Sequence, residues 1–443
     1  MSTPLSNTTV APWSFLGSLA RAQLARNSLW AFVGAAVSQS SSLLAALMIG
    51  RMLEVTKFGQ LALIQSTVLL LGTLGEVGLT LTTTKFVGRW KGSDPAKAGR
   101  LMARSLLVTA VSGAVMAVLL LAVARYTAAF PPASISLAAA ACGLLIFDML
   151  NRIQFGALAG LEAFREAARI YVWRGILLLP CVWIGTRYND LSGAVAAMGA
   201  VSLVMFLVGH RVLRRQCALR SISLRSGTSL EQGIIATSLS LWASSLLMTG
   251  STWIVTFLLS RQAGGFAELG LFNAADRWKI ALLFLPNVLF QVVLPMLSRS
   301  HAAGDHRSCA QIISTAIAGT AAVTGVAALA VFWLSPLLMS WFGESFRGGV
   351  GVLSLAALGS IVTALYTVGS GVLWSLGRPT QMLGIDCVKT FLLVGLCVAG
   401  LGTTAWNVSL AYLLSFAAGS VLVLMSVHKQ LRINQNHAGI TSS

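Results

Sequence analysis

Apolar residues in this chain come in long blocks rather than at the spacing of a single helical stripe. Twelve blocks can be marked, at roughly 27–49, 60–84, 101–124, 135–158, 168–187, 191–212, 233–259, 270–297, 310–334, 348–374, 379–400 and 403–427. Most approach or exceed the ~20 residues that carry an α-helix across ~30 Å of hydrocarbon. A soluble helix keeps one polar face; a helix apolar all round belongs in lipid or in a large core. Polar residues gather in the short stretches between blocks. The longest, at about 210–232, is rich in arginine, and none is large enough for a folded extramembrane domain. The pattern predicts an all-α integral membrane protein with twelve transmembrane helices.

The block around Leu269–Arg299 departs most from a plain span. It is free of charge from Ile280 to Leu297, yet its first turns carry Asp276, Arg277 and Lys279, and it contains Pro286 and Pro295. Neighbouring helices can take up the carbonyls that proline frees in a membrane. Ionisable groups inside a span face protein or a water-filled cavity. The charges of this block are therefore expected to face either neighbouring protein or a cavity.

Composition agrees: of 443 residues 56% are hydrophobic and 10% charged, against about 25% charged in ordinary soluble domains. The net charge of +18 would suggest nucleic acid in a soluble chain. Here the basic residues sit between apolar blocks without interleaved aromatics, so orientation explains them and no nucleic-acid partner is expected. Lys and Arg crowd alternate connections: Lys85 to Arg104, Arg165 and Arg169, Arg211 to Arg225, Arg299 and Arg307, Arg378, and both ends. The opposite connections hold Arg51 and Lys57, then Arg125, Arg187, Arg261 and Arg347 singly. Both termini are then cytoplasmic, which requires an even number of spans. The six cysteines form no CxxC pair, and the five histidines, read as lying in cytoplasmic loops or tails, have no metal-like spacing. No metal, cofactor or P-loop is expected, and short outer connections argue against an enzyme.

The two halves begin alike. The first block ends at Gly50–Arg51, followed by Phe58–Gly59 and a new block; the seventh ends near Arg261, followed by Leu269–Gly270 and a new block. A parallel repeat of six plus six helices would enclose a cavity between halves. The expected layout is an N-terminal cytoplasmic tail at 1–26, a six-helix lobe at 27–215, a basic cytoplasmic linker at 216–232, a second six-helix lobe at 233–427 and a cytoplasmic tail at 428–443.

These residues resemble a known family. Gly50–Arg51 with Phe58–Gly59, Glu76–Val77–Gly78–Leu79, the run Gly270–Leu271–Phe272–Asn273–Ala274–Ala275 to Leu294–Pro295–Met296–Leu297–Ser298, and Leu376–Gly377–Arg378 are similar to the polysaccharide flippases of the MATE-like (multidrug/oligosaccharidyl-lipid/polysaccharide) superfamily. The resemblance implies two six-helix lobes related by a pseudo-twofold axis around a central cavity. It also implies alternating access and transfer of a polyprenyl-diphosphate-linked oligosaccharide across a bacterial inner membrane for surface polysaccharide synthesis. Implied partners are the lipid-linked oligosaccharide, membrane lipids and polysaccharide polymerase machinery. The alternative within the superfamily is a cation-coupled multidrug exporter, which favours an acidic cavity.

A flippase needs positive charge for phosphate, and arginine's planar fork binds two oxygens at once. The candidate cavity cations are Arg152, Arg174, Arg277, Lys279 and Lys389, against the acids Glu76, Asp148, Asp276 and Asp386. Asp148–Arg152 are four apart, and Asp276–Lys279 and Asp386–Lys389 three apart, so each could be a local ion pair that only eases burial. Arg174 and Arg277 have no acid at such spacing. Glu76 is open to two readings, pairing with another helix or exchanging a proton. The tryptophans read mainly as interfacial anchors, with Trp278 the one candidate to stack on sugar.

Overall fold

The computed structural model describes residues 12–124, 135–224, 232–302, 306–375 and 378–440. These are helical almost throughout. In order they form α1 (Pro12–Glu76), α2 (Leu79–Trp90), α3 (Pro95–Ala124), α4 (Ile135–Gly160), α5 (Phe164–Ala218), α6 (Gln232–Ser260), α7 (Gly265–Ala302), α8 (His306–Ser340), a 3-10 turn (Glu344–Gly349), α9 (Val350–Ser375), α10 (Pro379–Leu396) with a π turn (Cys397–Leu401), and α11 (Ala405–Ile440). Among the described residues, nine helical stretches are long and apolar enough to cross a membrane.

Some expected connections are sharper than the sequence suggests. Helix α1 carries the first two apolar blocks and breaks at Glu54 alone, at φ 62° and ψ 172°. Helix α5 carries the fifth and sixth and breaks at Asn189 and Asp190, the latter at φ 45°. A non-glycine residue on that side of φ is held there only by its surroundings. Lys57 donates to Asp190 across 2.9 Å, so the two corners meet. The block predicted at 60–84 is itself divided: Val77 and Gly78, at φ 46° and 70°, separate α1 from α2. The expected N-terminal tail is helical from Pro12, and α11 continues to Ile440. Residues 1–11 and 441–443 of the tails, 225–231 of the linker, and Leu376–Gly377 lie outside the described residues. All five histidines, expected in loops or tails, lie within helices: His210 in α5, His301 in α7, His306 in α8, and His428 and His437 in α11.

Packing divides the molecule along its length. One apolar cluster contains residues of both halves, among them Leu53, Phe58, Leu191, Leu269, Phe342 and Ala405. It sits at the end where the Glu54 and Asp190 corners lie. Two other clusters stay within one half each: one joins Phe86, Met102, Leu158 and Leu213, the other Leu297, Ile313, Leu373 and Val427. The halves thus share a core at one end and keep separate cores at the other.

The shared end is tightly closed. The rings of Phe58, Phe342 and Phe346 meet pairwise with centroids 5.4–5.6 Å apart. Beside them α1 and α7 cross at two glycines. A Cβ on Gly59 would overlap the Phe266 carbonyl oxygen, and one on Gly270 would overlap that of Val55. Small residues let membrane helices approach this closely, and these are the two glycines of the paired sequence corners. Further along the boundary, Trp242 and Trp253 of α6 donate their indole N–H groups to the Thr73 carbonyl (2.8 Å) and the Thr67 hydroxyl (3.0 Å) of α1. Both reach across the boundary rather than into an interface with water.

Candidate cavity site

Between the halves lies a cavity of about 370 Å³ walled by α1, α4, α5, α6 and α7. That falls within the ~300–1,000 Å³ of small-molecule sites. Its charged lining is Asp148 and Arg152 from α4, Arg174 from α5, and Asp276 and Arg277 from α7. Three arginines face two aspartates there, a narrow positive excess.

The wall on the N-terminal half is an ion-pair network between helices. Asp148 accepts two hydrogen bonds from Arg152, at 3.0 and 3.1 Å, and lies 3.5 Å from Arg174. Arg152 also comes within 4.0 Å of Glu76. The spacing along α4 makes the first contact; the second and third come from packing against α5 and α1. Both arginine side chains keep about a third of their surface exposed, 34% and 32%. Their charge is balanced, yet their remaining donors stay reachable.

On α7 the arrangement differs. Asp276 pairs with Lys279 at 2.6 Å, and Arg277 has no ion pair among the described residues. Its Nη2 donates to the Gln65 side-chain oxygen of α1 at 2.6 Å, while its buried Nε has no acceptor among the described residues. The buried amide nitrogen of Asn273 also lacks one. Lys279 lies 5.2 Å from the centre of the Tyr412 ring. It lines an adjoining crevice of about 20 Å³, roughly enough for one water. Asp276 borders both spaces.

Asp386 and Lys389 of α10 lie elsewhere. Their side chains are 7% and 4% exposed and 3.3 Å apart. The Tyr366 hydroxyl donates to Asp386, and the Lys389 ammonium contacts the Met248 sulfur at 2.9 Å. It also sits 4.2 and 4.7 Å from the ring centres of Tyr366 and Phe416. The pair is enclosed by protein. Trp278, the candidate for sugar stacking, is 9% exposed and packs on Trp341, because one residue step around the helix turns it away from the cavity that Arg277 lines.

The fold therefore gathers Glu76, Asp148, Arg152 and Arg174 on one side, places Asp276, Arg277 and Lys279 on α7, and leaves Asp386 and Lys389 apart. Gln65 and Asn273 escaped the sequence reading as site residues because they carry no charge. The signal for them was an amide side chain inside an otherwise apolar block.

A family model described as "Polysaccharide biosynthesis protein" matches residues 24–301. Over 178 residues the chain is 24% identical to the EPS I polysaccharide export inner membrane protein EpsE of Ralstonia solanacearum; the match covers 40% of this chain and 41% of that relative. The chain thus spans about two fifths of the length of the curated relative it matches. Among solved structures, an inward-facing multidrug resistance MATE family transporter of the MOP superfamily superposes with a TM-score of 0.78 at 15% identity, covering 92% of this chain and 99% of that one. An outward-facing one gives 0.69 at 15% identity, covering 93% and 96%. A MOP superfamily transporter from Pyrococcus furiosus, described as having reverse polarity of its binding pocket, gives 0.69 at 14% identity, also covering 93% and 96%. At such identities the likeness is one of fold.

Proposed function

The chain belongs to the polysaccharide biosynthesis protein family, and from that footing we propose that it is an inner-membrane flippase for a lipid-diphosphate-linked oligosaccharide. The observation that carries the reading is the arginine-bearing cavity between the halves. Arg152, Arg174 and Arg277 would hold the diphosphate, whose oxygens suit a planar fork. The uncharged polar lining would take sugar hydroxyls, and the prenyl tail would stay in the bilayer. Asp148 and Glu76 keep the two first-half arginines oriented while the site is empty. Lys279 stands beside the site, and Lys389 with Asp386 contacts substrate only after a rearrangement.

The same reading sets the topology. The nine apolar stretches, with α1 and α5 each counted as two rods across their breaks and α7 added, make twelve crossings. They divide into two six-helix lobes, 27–215 and 233–427, related by a pseudo-twofold axis. The distribution of Lys and Arg puts both termini in the cytoplasm. The shared core then lies at the outer face and the separate cores at the inner face. The structure's greater likeness to the inward-facing transporter than to the outward-facing one supports this direction. Rocking of the lobes about the cavity would carry the headgroup across and deliver it to polymerase machinery.

Complementation of a flippase-null strain tests the reading, with surface polysaccharide and drug susceptibility read side by side. The wild-type chain restores polysaccharide and leaves drug susceptibility unchanged. Arg277→Ala abolishes export at normal membrane levels, and Arg277→Lys is partly defective. Full export by Arg277→Ala removes Arg277 from the site. Drug resistance without restored polysaccharide overturns the reading in favour of a multidrug exporter.

A further inference from the structure

We propose that Asn273 and Arg277 form one phosphoryl-oxygen subsite, and that Gln65 is its placeholder, released when the headgroup arrives. The proposal rests on the flippase reading, shares Arg277 with it, and adds Asn273 and Gln65, which that reading does not use. Asn273 and Arg277 are four apart on α7, so they stand one above the other on the same helix face. Both line the cavity. Each has a buried nitrogen donor without an acceptor among the described residues, Nδ2 of Asn273 and Nε of Arg277. Buried donors without acceptors are rare and costly, and two on one face ask for an acceptor-rich ligand. A phosphoryl group supplies several oxygens at once.

Gln65 explains how the site stays intact when empty. Its side-chain oxygen accepts from Arg277 Nη2 at 2.6 Å across the boundary between the halves. Among the described residues its amide nitrogen contacts only the Met198 sulfur, at 3.4 Å, a weak acceptor. Asp276, the acid adjacent to Arg277, is engaged by Lys279 at 2.6 Å. The guanidinium is thus held by a neutral acceptor, which an anionic oxygen displaces because a bond between two opposite charges is stronger than one from a cation to a neutral amide. A carboxylate at position 65 would hold Arg277 too firmly. Displacement removes a polar bond between α1 and α7 inside the cavity, so headgroup binding itself loosens the two halves at that point.

The test is binding to the full-length protein in nanodiscs, with farnesyl diphosphate, inorganic diphosphate and farnesol as probes. Wild type binds farnesyl diphosphate and not farnesol. Asn273→Ala weakens binding about tenfold. Gln65→Leu, which removes the competing acceptor, tightens it several-fold, whereas Gln65→Glu weakens it at least tenfold. Opposite shifts from two changes at one position do not come from a damaged fold. Unchanged binding in Asn273→Ala, or unchanged or weakened binding in Gln65→Leu, overturns the proposal and leaves the flippase reading standing. Inorganic diphosphate binding as tightly as the prenyl form overturns the headgroup assignment. A wild-type protein that binds no prenyl diphosphate overturns both.

Discussion

Asp148–Arg152 on α4 and Asp386–Lys389 on α10 are each an aspartate followed within about one turn by a cation, inside an apolar helix. The first pair borders the cavity, with side chains 22% and 34% exposed, and shares its acid with Arg174 of α5. The second is sealed at 7% and 4%, closed by Tyr366, Phe416 and Met248. The difference comes from the neighbours, not from the spacing. Around Asp148 the adjoining helices bring a second cation and open space. Around Asp386 they bring ring faces, against which a compact ammonium packs well. A guanidinium suits the first place because its separate donors can serve Asp148 and face Glu76 together. Spacing along a helix tells that a charge is balanced; the third partner, from another helix, tells whether a ligand can reach it.

The two pairs should differ most in what they contribute to stability. Lys389→Ala leaves the Asp386 carboxylate buried without its cation, and such a loss costs ~3–5 kcal/mol. Thermal unfolding of the purified protein in detergent should show a pronounced drop. Lys389→Met combined with Asp386→Asn should recover most of it, since neither charge then remains. A Lys389→Ala protein as stable as wild type would mean that the enclosure has no structural role. At the cavity the expectation is reversed. Arg152→Ala removes a partly exposed pair and should change stability by no more than ~1 kcal/mol, while export of surface polysaccharide falls about tenfold. Equal stability losses in the two variants would erase the distinction.

Much of the architecture was legible because lipid imposes a simple rule on the chain: apolar blocks of spanning length must be helices. Phe58–Gly59 and Leu269–Gly270 could be paired from the sequence, and the fold brings those two glycines into one crossing. The breaks were less legible. Glu54 and Asp190 take up left-handed φ values that no residue preference announces, because the packing around each corner holds them there. The charged members of the site could be named, since any ionised side chain in an apolar block is conspicuous. Their faces could not, because rotation of a helix about its axis depends on neighbours remote in sequence. That is why Lys389 and Arg152 read alike along the chain. Gln65 and Asn273 stayed hidden for the complementary reason: an amide in a span looks ordinary until its partner, or the lack of one, is seen.

Helix α6 contributes one wall of the Asp386–Lys389 enclosure through Met248. Met248 places its sulfur 2.9 Å from the Lys389 ammonium, yet Met248 itself is 41% exposed. A thioether is a weak acceptor, and Lys389 keeps its carboxylate and two ring faces without it. Met248→Leu keeps most of the side-chain volume and removes the acceptor, so the cost should stay below ~1 kcal/mol, with polysaccharide export unchanged. Thermal unfolding resolves the alternatives. A small shift means that Asp386 and the aromatic rings hold the ammonium and that Met248 acts as cover. A shift as large as that of Lys389→Ala would make the sulfur a principal ligand, and the enclosure would then depend on the helix whose Trp242 and Trp253 bond to α1 across the boundary.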